Sequence, residues 1–274
     1  MALDRRRLAE VLSAEYSYYE GPEPTCDIDA RLNPDPAAFI AAHLNPDMKV
    51  LDVGCGSGTT LLRNSGSFEH AIGIDHDHSH IELAEKARLA AGITNVEFIE
   101  LTLEELPKRQ WPQPFDFVFS ERGPIGYDVR GVQAALHVLR PGGTIFAELI
   151  GDLHHQEVRD VFSQAPRFNQ VIRALDQVKV AMERCGVGVR VAADIVSKRY
   201  YPDIYEWLKF QCSIWAWTGA SLPTVDDPRL DMFAMRNADN NGRIEVTHHV
   251  VWVGGIKLED PPRYAEHQHF RSRT

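Results

Sequence analysis

Nine residues, Val50 to Gly58, constrain this chain more than any other stretch: V-L-D-V-G-C-G-S-G. Val50, Leu51 and Val53 make the short apolar run expected of a buried strand, with Asp52 near its carboxyl end. Glycines then fall at every second position: Gly54, Gly56 and Gly58. A strand entering such a run must turn sharply. Glycine tolerates positive φ and lacks a Cβ, so backbone N–H groups can approach a ligand. Thr59 to Leu62 read as the first turn of a helix, which aims the positive end of its dipole at the loop. The pattern is a nucleotide-type site after a first strand.

Two nucleotides compete for it. A dinucleotide fingerprint has the spacing G-x-G-x-x-G, but counting from Gly54 puts Thr59 at the third glycine position. An acid at the strand end would repel a pyrophosphate, whereas it suits a ligand whose near end is an ammonium group. A second apolar strand, Ala71-Ile72-Gly73-Ile74, ends in Asp75, one helix and one strand beyond the loop. One carboxylate at that point can accept from both ribose hydroxyls. His76 follows at the edge of the adenosine site, with His78 and His80 read as solvated. His76 and His80 have an i, i+4 spacing that can chelate a metal, but no H-E-x-x-H pattern accompanies it, and no metal is expected.

The run Asp52-x-Gly54-x-Gly56-x-Gly58 resembles the first motif of the class I S-adenosylmethionine (SAM) methyltransferases. Leu139-Arg140-Pro141-Gly142-Gly143, a tight turn ahead of an apolar strand at 144–150, is similar to a second hallmark of that family. The resemblance covers roughly residues 48–150. It implies a doubly wound α/β fold with a seven-stranded, mostly parallel sheet in the order 3-2-1-4-5-7-6, strand seven antiparallel. Strands three and four would be Val96–Ile99 and Phe115–Phe119, with the last two at 187–195 and 244–256. The resemblance places SAM, whose product is S-adenosylhomocysteine, on Asp52, Gly54, Cys55, Gly56, Gly58, Asp75, His76, Thr102, Leu103 and Ser120. Thr102 stands where the family often has an acid for the adenine amino group, so its hydroxyl or a backbone group would serve. The N/D-P-P-Y/F that many DNA and protein-glutamine methyltransferases carry after strand four is absent, which argues against amino-group methylation of adenine, cytosine or glutamine.

Methyl transfer needs a base only if the acceptor arrives protonated. Candidates are Glu121, Tyr127 and His248, each with a structural alternative as a loop carboxylate, a packing ring or an outward-facing strand residue. The paired histidines at 154–155 and 248–249 carry no pattern that links them.

Residues 1–35 read as an N-terminal helical cap: a helix over 3–19, then tyrosines 16, 18 and 19 that either pack or form a flap. Residues 36–256 read as the methyltransferase domain, and 257–274 as a polar tail. Within 200–240, eight aromatics from Tyr200 to Phe233 suggest a lid over an apolar or planar small-molecule acceptor, or simply a core.

Composition narrows the partners. Asp plus Glu number 39 against 29 Lys plus Arg, a formal charge of −10, so phosphates meet a repulsive mean field. The one compact basic run, Arg5-Arg6-Arg7, fits the solvated face of a helix. A small-molecule acceptor is therefore favoured over nucleic acid, with an RNA or protein methyltransferase, or a non-catalytic SAM-binding protein, as alternatives. Four scattered cysteines without a C-x-x-C pair, no signal-peptide pattern and no long apolar run point to a cytoplasmic protein off the membrane.

Overall fold

The computed structural model describes residues 3–16, 35–162 and 175–259. Tyr18 and Tyr19 and most of the expected polar tail lie outside that range.

A seven-stranded sheet organises the chain, in the order β3-β2-β1-β4-β5-β7-β6, with β7 antiparallel. Its strands are β1 (Lys49–Val53), β2 (His70–Asp75), β3 (Val96–Glu100), β4 (Phe115–Glu121), β5 (Leu139–Ile150), β6 (Val187–Tyr201) and β7 (Ile244–Lys257). β1 pairs in parallel with β2 on one side and β4 on the other. The helices are α1 (Arg5–Leu12), α2 (Pro36–His43), α3 (Thr59–Arg63), α4 (His78–Ala90), α5 (Val129–Val138), α6 (Gln156–Phe162), α7 (Leu175–Arg184), α8 (Ile204–Thr218) and α9 (Pro228–Asn237).

Two elements differ from expectation. The Leu139–Gly143 segment is the first part of β5 and not a turn ahead of it, with Gly142 at φ 72°. Neighbouring side chains hold it out: Arg140 Nε donates to Asp116 at 2.6 Å, and Lys257 Nζ donates to the Leu136 and Leu139 carbonyls, each at 2.6 Å. β6 continues to Tyr201, six residues past its expected end at 195.

The described residues form two compact units, 44–147 with 175–192 and 253–259, and 3–16 and 35–43 with 148–162 and 193–252. In the first, the core is the sheet interior, with Val50, Leu51, Ile74, Phe117 and Phe119 at 1% exposure or less. In the second, α1 packs on α8 and α6 on α9 around Leu8, Trp207, Trp215 and Phe233. Trp207 stacks on Phe233 at 3.9 Å between centroids, and Phe162 meets Trp215 edge-on at 5.4 Å. Tyr201, Trp207, Trp215 and Phe233 are therefore core and not the acceptor-lining lid that their density suggested; only Trp217 is exposed among the tryptophans of α8. Three helices of this unit start on a side-chain cap: Asp4 for α1, Asp203 for α8, Asp227 ahead of Pro228 for α9. Tyr16 packs against the same core, its hydroxyl donating to the Val11 carbonyl at 2.8 Å.

The basic run in α1 is only partly solvated. Arg6 is exposed, but Arg5 pairs with Asp231, and Arg7 pairs with Asp203 at 3.0 Å while lying over the Tyr205 ring. Long side chains here tie the helix down instead of presenting charge to a polyanion.

Candidate active site

The glycine loop is built as its sequence requires. Gly54, Gly56 and Gly58 sit at φ 83°, 53° and 74°, all in the left-handed region. Two of them also lack room for a side chain. A Cβ on Gly58 would lie 2.3 Å from the Phe98 ring, and one on Gly54 would lie 3.0 Å from Pro124 and 3.1 Å from the Gly123 backbone. The loop is thus wedged between β3 on one side and the segment after β4 on the other.

Its hydrogen bonds run against the expectation that its backbone N–H groups face a ligand. Gly54 and Cys55 N–H both donate to the Ile74 carbonyl, at 2.8 and 3.0 Å. Gly56 N–H donates to Asp75 Oδ2 at 3.0 Å, and Gly58 N–H to the Cys55 carbonyl at 2.9 Å. Four donors that a pyrophosphate would need are committed inside the protein. Cys55 turns inward, its sulfur 2.9 Å from where a Gly73 Cβ would stand, and burial together with the Asp52 and Asp75 charges pushes its thiol well up.

Strand register gathers the acids. Asp52 pairs with Gly73 of β2 and Phe119 of β4. Paired residues in a parallel sheet share a face, and so do residues two apart on a strand. Asp75 and Glu121, each two residues beyond those partners, therefore fall on the face of Asp52. Asp52 is 3% exposed, and its Oδ1 has no hydrogen-bond partner among the described residues. Burial, then the charges of Glu121 and Asp75, hold its carboxyl well above the usual carboxylate range. Asp75 is better supplied: Gly56 N–H binds one oxygen, and Asp77 N–H the other at 3.0 Å. Glu121 accepts from the Thr60 hydroxyl of α3 at 3.1 Å. Next to it, Arg122 adopts φ 57°, a left-handed backbone that is costly for a non-glycine residue and tends to be found where function demands it.

The remaining expected residues divide. His76 is exposed, its Nδ1 3.4 Å from Asp75 Oδ1. His80, read as solvated, is instead buried with its Nδ1 3.4 Å from the same oxygen, because Asp77 caps α4 and turns that face inward. Thr102 N–H and hydroxyl both donate to Glu105 Oε2, at 3.0 and 2.8 Å, which leaves the hydroxyl oxygen as an acceptor. Leu103 lies beside α5, 3.4 Å from where a Gly131 Cβ would stand. Ser120 is wholly buried, its hydroxyl donating to the Val53 carbonyl at 2.7 Å, which locks β4 to β1 at the loop. Tyr127 is half-buried between β4 and α5.

His248 belongs to the other unit, where it is buried on β7 and not outward-facing, its Nε2 3.1 Å from Arg199. The two histidine pairs, unlinked in the sequence, meet there. His154 stacks on His155 at 4.1 Å, meets His248 edge-on at 4.9 Å, and its Nδ1 accepts from His249 N–H at 3.3 Å. His249 Nε2 lies 2.5 Å from Asp194 and its Nδ1 3.2 Å from Asp152. No local pattern signals this grouping, since its members come from β6, β7 and the segment after β5.

Sheet order and an acid-flanked glycine loop define the class I methyltransferase fold. Residues 44–208 match the family model described as "Methyltransferase domain", and the chain belongs to that family. It is 37% identical over 111 residues to a tRNA U34 carboxymethyltransferase of Hydrogenovibrio crunogenus, an alignment spanning 37% of this chain and 32% of that protein. It is 33% identical over 107 residues to a ubiquinone biosynthesis O-methyltransferase of Leptothrix cholodnii, spanning 38% and 44%. The matched region thus spans less than half the length of these curated relatives. Among solved structures it resembles the YcgJ protein of Bacillus subtilis, with a TM-score of 0.58, 18% identity, and 82% and 98% of the two chains covered. At that identity the likeness is one of fold.

Proposed function

We propose that this chain transfers a methyl group from SAM to a small-molecule acceptor. The observation that carries the cofactor is the loop's hydrogen bonding: Gly54, Cys55, Gly56 and Gly58 turn their N–H groups inward, while Asp52, Asp75 and Glu121 share the sheet face beside them. Such a site repels phosphate and attracts a cationic nucleoside. Asp75 would hold the ribose hydroxyls, with His76 at the rim. Asp52 would face the amino-acid end, Thr102 and Leu103 the adenine, and Ser120 keeps the loop mouth in place.

Bound SAM would supply a methyl group activated by its sulfonium for in-line displacement. The protein's part is to position donor and acceptor and to exclude water. Glu121, with its oxygen fixed by Thr60, is the base candidate within the nucleotide unit. The acidic balance supports a small acceptor, and the free thiols at Cys55, Cys185 and Cys212 support work in the cytoplasm. No helix among the described residues is long and apolar enough to cross a membrane.

The similarity to a tRNA-modifying protein supports a second reading, an RNA acceptor. Labelled-methyl transfer from SAM decides between them. Incorporation into hydroxylated or phenolic small molecules and none into tRNA is expected. Incorporation into tRNA alone would overturn the choice of acceptor, and no SAM binding would overturn the function.

A further inference from the structure

Asp52 presents a problem that its neighbours do not solve. Its Oδ1 is buried with no donor among the described residues, in a site where Asp75 accepts N–H bonds on both oxygens and Glu121 is fixed by Thr60. Register sets the three carboxyl groups on one sheet face at the ends of adjacent strands. Other ionisable groups near them give Asp52 little relief. Cys55 is half-buried and adds no positive charge, His76 and His80 stand 3.4 Å from Asp75, and Arg122 Nη2 lies 3.9 Å from Glu121. A buried carboxylate with an orphaned oxygen and further carboxylates on the same sheet face does not stay ionised at small cost.

We propose that Asp52 retains a proton while the site holds no cofactor, and that the ammonium group at the amino-acid end of SAM displaces it, so that cofactor binding releases a proton. This rests on the cofactor reading above and adds to it a pH linkage and a preference for charge. The step is a simple exchange: the carboxyl O–H bond breaks, the proton passes to buffer, and the ligand ammonium takes over as the counter-charge. Burial raises the affinity of Asp52 for that proton, in keeping with the geometry. The sign follows. Below the raised pKa of Asp52 the ligand must displace a proton, so affinity falls up to about tenfold for each pH unit of acidification; above it, affinity is flat. Asp75, already hydrogen-bonded on both oxygens, contributes ribose contacts without this exchange.

The test is calorimetric titration of the whole protein in buffers of different ionisation enthalpy at one mildly acidic pH. S-adenosylhomocysteine carries the ammonium end, whereas 5′-methylthioadenosine keeps the nucleoside and lacks that end. Release approaching about one proton per bound S-adenosylhomocysteine is expected, and none for 5′-methylthioadenosine. Asp52→Asn abolishes the release while still binding 5′-methylthioadenosine, which also shows that the variant is folded. Glu121→Gln lowers the release and moves the affinity profile to lower pH. Binding of S-adenosylhomocysteine without proton release, or undiminished release in both variants, overturns the exchange and leaves the cofactor reading intact. Failure of both nucleosides to bind overturns the cofactor reading and the exchange with it.

Discussion

The glycine loop between β1 and α3 and the histidine cluster around β7 are both dense in polar groups, yet they are built in opposite ways. In the loop the residue types themselves set the backbone. Three glycines adopt positive φ, their N–H groups bond within the strand–loop–strand unit, and two acids stand at strand ends. In the cluster the constraints are long-range: His154 meets His248 and His249 from the far side of the chain, and His249 reaches Asp194, 55 residues away. The loop leaves one carboxylate oxygen without a donor among the described residues, at the point where a cation would bind. The cluster instead holds His249 at both ring nitrogens, Nε2 by Asp194 and Nδ1 by the Leu153 N–H, an arrangement that fastens elements together. On the proposed function, one region receives a ligand and the other holds itself.

Substitutions can break this contrast. The largest effect falls in the second unit, where Trp207→Ala empties a fully buried stack on Phe233 and costs about 3–5 kcal/mol in chemical denaturation. Nucleoside affinity of the protein that remains folded should not change. If it collapses, the division of labour between the regions is wrong.

Gly58→Ala comes next. It forces a Cβ within 2.3 Å of Phe98 at a φ of 74°, and should cost about 2–3 kcal/mol together with cofactor affinity. Stability lost with affinity kept would mean that the loop is only a turn.

A smaller effect is pH-dependent. Burial and the nearby Arg199 lower the His155 pKa from 6.5 to about 4. The unfolded chain then binds more protons between those values, so stability is full above about pH 6.5 and falls as pH drops toward about 4. His155→Gln should flatten that slope in denaturant titrations run across the range, without altering nucleoside binding. An unchanged slope would assign the effect elsewhere. Smallest is Arg7→Ala, which removes a partly exposed pair with Asp203 and a stacking contact on Tyr205, for about 0.5–1 kcal/mol in thermal unfolding.

The same contrast explains what could be read from the residues alone. Asp52, the three glycines and Asp75 were legible because strand-end acids and glycine φ are properties of short stretches, and the sheet order followed from the family resemblance. The commitment of the loop N–H groups to Ile74 and Asp75 was not legible, since it depends on how β2 lies beside β1. His80 looked solvated because its helix face is set by the Asp77 cap and by Asp75, beyond any periodicity signal. The aromatics of α8 and α9 looked like a lid because a buried stripe and a pocket-lining stripe share one pattern; only packing tells them apart. The four histidines could not be joined without the strand pairing that brings β7 beside β5.

The measurement closest to the central claim is calorimetric titration of wild type and Asp75→Ala with S-adenosylhomocysteine and, separately, NAD. Tight binding of S-adenosylhomocysteine, no binding of NAD and a loss of about 100-fold in Asp75→Ala are expected, the size of a lost charge-assisted pair of hydrogen bonds. Preferential binding of NAD, or S-adenosylhomocysteine affinity untouched in the variant, would contradict the assignment of this loop.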